Sequence, residues 1–242
     1  MPDSTFTFKQ FTINQDRCAM KVSTDSVLFG ASVDATEAKQ ILDIGTGTGL
    51  LALMLAQRSE AEIDAIDIDE NAFTQASENF DASKWNYRLH AYHISFQDFI
   101  LKSTKLYNLI VANPPYFIDA YKSPTDARSI ARHMNHTMTM DELISGVIKL
   151  LTSDGAFWLI LPYKEGMLFY GKAFTHGLFC DNLIRIKTKS DKPEKRLIMR
   201  FVKSLKPIEE TEFLIQDNEN AFTQAYIDLT RDYYLQLNKQ RV

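Results

Sequence analysis

Cysteine is scarce in this sequence: only Cys18 and Cys180 occur in 242 residues. That excludes a disulfide framework and a CxxC metal or redox site, and it points to a reduced, cytoplasmic setting. Long apolar runs are also missing. None approaches the ~20 residues of a membrane-spanning helix, and the run Ala156–Leu161 is ended by Pro162. Met1-Pro2-Asp3-Ser4 opens no basic stretch followed by an apolar one, so no secretory signal is read there. No Pro/Gly/Ser-rich linker and no internal repeat divides the chain. Net charge is small, −4 from 27 basic and 31 acidic residues. Taken alone, that disfavours a nucleic-acid partner, because phosphate binding is largely electrostatic. The remainder is ordinary globular material, 45% hydrophobic and 24% charged, with no room for a collagen, a coiled coil or wholesale disorder.

Strand-like and helix-like patterns take turns from residue 40 onward. A short hairpin over 5–14 (Phe6, Phe8, Phe11, Ile13) and a helix over 23–33, capped by Ser23 or Thr24, come first. Strands are predicted at Gln40–Ile44, Ile63–Ile68, Leu89–Ile94, Tyr107–Ala112, Ala156–Leu161, Leu183–Thr188 and Leu197–Val202. Helices are predicted at Leu50–Arg58, Glu70–Ala82, Met140–Leu151 and Glu165–His176, with a terminal helix through Phe222, Tyr226, Leu229 and Tyr233. Such alternation means an α/β fold with a doubly wound, mostly parallel sheet. Ligands bind beyond the carboxyl ends of the strands of such sheets.

The first motif follows the first of these strands: Asp43-Ile44-Gly45-Thr46-Gly47-Thr48-Gly49. Gly45, Gly47 and Gly49 permit positive φ and a close backbone approach to a ligand. The spacing is GxGxG rather than the GxGxxG of dinucleotide folds, and Asp43 would be a poor neighbour for a pyrophosphate. It suits a ligand carrying cationic groups, such as S-adenosylmethionine. About twenty residues on, the strand ending Asp67-Ile68-Asp69 offers a carboxylate to a ribose. Asp67 is the better placed for this, and Asp69 the better cap for the next helix. Asp98, in a loop after the third strand, is a candidate acceptor for the adenine amine, with Phe96 or Phe99 flanking the ring.

The second motif is Asn113-Pro114-Pro115-Tyr116, entered directly from the buried strand Leu109–Ala112. Two prolines fix their own φ and restrict the residue before them. The Asn113 side-chain oxygen and the Pro114 carbonyl can then accept both protons of one planar NH2 group, while Tyr116 offers a face for stacking. An exocyclic amine on adenine is a weak nucleophile, because its lone pair is delocalised into the ring. Two acceptors pull the nitrogen toward tetrahedral geometry and restore that lone pair. Transfer of an electrophilic methyl then needs positioning more than a strong base. The target base must leave its stack to be reached.

These two motifs resemble the class I S-adenosylmethionine-dependent methyltransferases that modify amino groups. Phe11-Thr12-Ile13-Asn14-Gln15 and the run from Met20-Lys21-Val22-Ser23-Thr24-Asp25 to Ala31 resemble, more narrowly, the bacterial tRNA(Val) adenine-37 N6 methyltransferases. So do Tyr116-Phe117, Arg128, Ala131-Arg132-His133 and Leu143. Ser26 and Phe29 depart from the glycine and leucine expected there. The resemblance implies a seven-stranded Rossmann-like sheet. It implies an N-terminal extension (1–39) covering the cofactor site ahead of the methyltransferase domain (40–242). It also implies S-adenosylmethionine as donor and a valine tRNA as partner. No membrane and no metal are expected, and a monomer is favoured. Lys21, Thr24 and Asp25 are then expected over the cofactor.

The charge is unevenly spread. Arg185–Lys206 holds nine basic residues against Asp191 and Glu194, so this window carries +7 and the rest of the chain −11. Lys187, Lys189, Lys192 and Lys195, with Arg128 and Arg132 after the second motif, are candidate RNA contacts. His133 and His136 alone make a weak metal site. The open alternatives are another amino substrate (ribosomal guanine, DNA adenine or a release-factor glutamine), a nicotinamide-dependent dehydrogenase, or a non-catalytic RNA-binding module.

Overall fold

The strands of the main sheet are β3 (Gln40–Ile44), β4 (Glu62–Asp67), β5 (Leu89–His93), β6 (Tyr107–Ala112), β7 (Leu151–Pro162), β8 (Phe179–Lys187), β9 (Glu194–Val202) and β10 (Glu209–Leu214). They lie in the order β10-β8-β9-β7-β6-β3-β4-β5. Every pairing is parallel except those of β9, which runs antiparallel between β7 and β8. A separate hairpin joins β1 (Thr5–Thr7) and β2 (Thr12–Asn14). This computed structural model describes residues 4–114 and 138–236. The sequence candidates Pro115, Tyr116, Arg128, Arg132, His133 and His136 lie outside the described residues.

Alternate residues of the central strands face opposite layers. Ile41, Leu109, Val111 and Ile160 join a core with helices α1 (Thr24–Ser32), α2 (Leu50–Ala56), α3 (Glu70–Asp81) and α7 (Gln224–Thr230). Leu42, Ile44, Ile110 and Leu159 join another with α4 (Phe96–Lys102), α5 (Met140–Leu150) and α6 (Tyr163–Thr175). β6 is buried on both faces, which is why Leu109–Ala112 reads as an unbroken apolar run. Helix starts follow local side-chain chemistry. Ser23 and Thr139 close capping boxes with Ser26 and Glu142, and Asp69 accepts the Ala72 N–H at 2.9 Å.

Two elements depart from the sequence expectation. The sheet has eight strands rather than seven, because β10 adds to the β8 edge in parallel. Its Glu-Glu-Thr-Glu start is exposed and carries no alternating apolar signal, so only pairing reveals it as a strand. Residues Phe96–Lys102 form α4, not a loop, with Ser95 as its cap.

Candidate active site

β3, β4 and β6 end at one level. Ile44 is paired with Ile66 on one side and with Ala112 on the other. The next residues, Gly45, Asp67 and Asn113, therefore leave the sheet side by side at the carboxyl rim. The glycine loop is hung on β4: Gly45 and Thr46 donate their N–H groups to the Ile66 carbonyl at 2.9 and 3.0 Å. Gly47 N–H donates to Asp67 Oδ2 at 2.9 Å, and Asp69 N–H donates to Asp67 Oδ1 at 3.0 Å. Burial pushes the Asp67 carboxyl above its ordinary range despite these bonds.

The glycines divide by role. Gly45 and Gly47 have φ of +70° and +57°, and a Cβ on either would meet nothing within 4 Å. Both line a cavity of about 340 Å³ together with Asp67, Ile68 and Asp69. That volume lies in the range of small-molecule sites, ~300–1,000 Å³. Side chains there would fill the cavity instead of a ligand. Gly49 is different, because its Cβ would lie 2.5 Å from the Phe80 ring, so its smallness serves packing. The other walls are mostly apolar: Cys18, Met20, Ile44, Ile66, Ala72, Ile94, Phe96 and Met138.

Asp43 lies beneath the loop and is fully buried. It accepts from Thr46 Oγ1 at 2.7 Å, and its Oδ1 has no partner among the described residues. Desolvation raises its carboxyl to about 7, with the nearby Asp67 adding to the effect. A cationic ligand above the loop is the complement such a carboxylate lacks. Apolar walls, open glycine positions and the carboxylates of Asp67 and Asp69 in the lining, with Asp43 buried beneath the loop, fit an adenosine carrying a cationic tail.

The structure does not bring every sequence candidate into this cavity. Asp98 is exposed, in the first turn of α4, where it accepts from Ser95 Oγ at 2.8 Å; its neighbour Gln97 lines the cavity. Lys21 is exposed and Thr24 opens α1, and neither lines the cavity. Asp25 is drawn to β9, 3.2 Å from Arg196 Nε and 3.8 Å from Lys195 Nζ. The segment just before these residues (Cys18, Ala19, Met20) supplies the wall instead. Sequence reading expected the 1–39 extension over the site but did not single out Cys18, Ala19 or Met20, and it missed Ile68 and Gln97. Ile68 was legible in principle, as an apolar residue between two aspartates.

The basic window is also changed by its surroundings. Glu210 pairs with Arg185, and Glu212 with Lys187 at 2.6 Å. Asp25 takes Lys195 and Arg196, Asp181 takes Arg200 at 2.8 Å, and Asp191 takes Lys192 at 3.5 Å. Lys203 donates to the Leu151 carbonyl. Only Lys189 and Lys206 of the nine have no such partner among the described residues. The segment still sits on the correct rim, since Pro162 at the end of β7 is paired with Arg196.

A parallel sheet with a glycine loop, an acidic strand end and an Asn-Pro at one level is the architecture of a Rossmann-like methyltransferase. The methyltransferase small domain model matches residues 18–169. A solved predicted O-methyltransferase from Agrobacterium tumefaciens superposes with a TM-score of 0.65 at 16% identity, covering 86% of this chain and 96% of its own. Pyrococcus horikoshii TYW2, solved with MeSAdo, gives 0.57 at 17% identity, covering 83% and 71%. Two curated relatives named tRNA1(Val) (adenine(37)-N6)-methyltransferase are far more similar in sequence. The one from Trichodesmium erythraeum is 43% identical over 97% of this chain and 99% of its own length. The one from Christiangramia forsetii is 40% identical over 98% and 100%. The chain belongs to the tRNA1(Val) (adenine(37)-N6)-methyltransferase family.

Proposed function

We propose that this enzyme transfers a methyl group from S-adenosylmethionine to the exocyclic N6 of adenine 37 in the anticodon loop of a valine tRNA. The observation that carries the chemistry is the common level of Gly45, Asp67 and Asn113 at the rim. When bound, the donor supplies an electrophilic methyl group. The loop at Gly45 and Gly47 admits it, Asp67 accepts from its ribose hydroxyls, and Ile68 packs on its base. Asp43 below and Asp67 beside the loop favour positive charge at that end. Asn113, half-buried just beyond β6, and the carbonyl of the buried Pro114 accept the two amine protons of adenine. Their fixed spacing directs the nitrogen lone pair toward the methyl, and positioning of this kind is a major source of rate. Pro115 stiffens this turn and Tyr116 stacks the base, as the sequence motif implies. Residues 1–39 act as an extension over the donor cavity, and residues 40–242 as the catalytic domain.

The names of the relatives support the RNA and the nucleotide; the geometry supports the donor and the amine. Among the described residues, no helix is long and apolar enough to cross a membrane, and a tRNA substrate places the enzyme in the cytoplasm. Lys189, Lys192 and the other cations of the β8–β9 end, with Arg128 and Arg132, are the proposed phosphate contacts. Mass spectrometry of nucleosides tests the reading. Incubation of unmodified tRNA with enzyme and donor should place N6-methyladenosine in the valine isoacceptor. Label appearing instead in protein glutamine, ribosomal guanine or DNA would reassign the substrate.

A further inference from the structure

Residues 15–22 cross the donor cavity without regular secondary structure, between the end of β2 and the cap of α1. Their middle, Cys18, Ala19 and Met20, forms one wall. Backbone without a strand or helix partner needs other acceptors for its N–H groups. Gln15 N–H donates to the Ser4 carbonyl, and the next acceptors are side-chain amides. Asn14 N–H donates to Asn79 Oδ1 at 2.9 Å, Arg17 N–H to Gln75 Oε1 at 3.0 Å, and Val22 N–H to Gln15 Oε1 at 2.8 Å. Gln75 and Asn79 are four apart, so they share one face of α3. Both are essentially fully buried.

Asn79 holds the foot of the strap, Asn14 at the end of β2. The Asn79 Nδ2 donates to the Asn14 carbonyl at 2.9 Å and to the Thr48 carbonyl at 2.8 Å. Two carbonyls and one N–H fix which end of the amide is which. Thr48 belongs to the glycine loop, whose Gly47 is held from the other side by Asp67. One buried amide therefore ties together the end of β2, from which the strap departs, α3 and the loop. The same helix face touches the cavity directly through Ala72.

We propose that Asn79 and Gln75 are positioning residues that latch the strap over the donor cavity and set the glycine loop beneath it. Neither touches the donor. They act by keeping two walls of the cavity in fixed relation, so their loss loosens donor binding rather than the methyl-transfer step. The proposal rests on the reading of this cavity as the S-adenosylmethionine site.

The test uses Asn79→Leu and Gln75→Met, which keep volume and remove the amides; the second variant serves if the first does not fold. Calorimetry with S-adenosylhomocysteine should show affinity falling about tenfold, the scale of one buried hydrogen bond. KM for the donor should rise by more than kcat falls. Trypsin should cut the strap at Arg17 or Lys21 faster than in the wild type. A lowered Tm with unchanged S-adenosylhomocysteine affinity and unchanged strap cleavage would overturn the latch and leave a purely structural role. Wild-type protein that binds no S-adenosylhomocysteine would overturn the reading of the cavity, and this proposal with it.

Discussion

At the β3–β4–β5 end of the rim, carboxylates are buried or half-buried, one held by a hydroxyl and the other by backbone N–H groups. At the β8–β9–β10 end, cations are at the surface and held by carboxylates. Asp43 is fully enclosed and Asp67 accepts two main-chain donors, whereas Lys187–Glu212 and Arg185–Glu210 are solvent-facing pairs. The two ends work on different physics. A buried carboxylate acts through a low-dielectric site, where one charge is decisive and salt matters little. A surface cation acts through a screened field, where single pairs are worth little and many must add. The first arrangement suits a small ligand of fixed shape. The second suits a polyanion met at many points, whose affinity is set by salt.

Asn113 stands between the two ends, and its loss should have the largest effect. Asn113→Ala should lower kcat by 10²-fold or more, on the order of an oxyanion-hole donor, while S-adenosylhomocysteine affinity stays within about twofold. Loss of both together in calorimetry would mean that Asn113 belongs to the donor half alone. Asp67→Ala comes next. It removes the acceptor of the Gly47 and Asp69 N–H groups as well as the proposed ribose ligand, so donor affinity should fall about 10- to 100-fold. Unchanged affinity would shift the ribose to Asp69.

The buried end also makes a pH prediction. Asp43 has its carboxyl raised to about 7 from 3.8. The folded state therefore holds a proton that the unfolded state releases, and its contribution is complete below about pH 4 and lost as pH rises to about 7. Denaturant titrations should show stability declining over that window, and the decline should be shallower in Asp43→Asn. Parallel curves would move the titrating group elsewhere.

At the exposed end the effect is smaller and of opposite sign. Glu210→Gln with Glu212→Gln frees Arg185 and Lys187, so valine tRNA should bind a few-fold tighter, with a steeper salt dependence. Unrelated RNA should gain as much, because these contacts read phosphate and not sequence. Anisotropy titrations at two salt concentrations decide it; weaker binding would mean that the pairs orient the cations rather than mask them.

The strands that matter were legible because they are buried on both faces. Leu109–Ala112 reads as a continuous apolar run and Gln40–Ile44 as a short apolar one around Asp43, and both motifs follow without a gap. Capping residues were legible for a local reason too: Ser23 and Asp69 act within three residues of themselves. β10 was not legible, since an exposed edge strand has no apolar period to detect. The partners of Asp98 and Asp25 were not legible, because a carboxylate in a sequence carries no sign of its partner. Ser95 claims one, and Arg196, far along the chain, claims the other.

By itself, the sequence determined the order of the elements, the glycine loop and the Asn-Pro turn, because each is written in neighbouring residues through φ, hydrogen-bond supply and apolar period. Only the tertiary structure decided what those pieces meet. Register places Gly45, Asp67 and Asn113 at one level. Folding brings Asn79 to both the foot of the strap and the loop, and it sets the glutamates of β10 against a window that had read as +7. Charge and burial are properties of surroundings, and the surroundings of a residue are made mostly by chain that is distant in sequence.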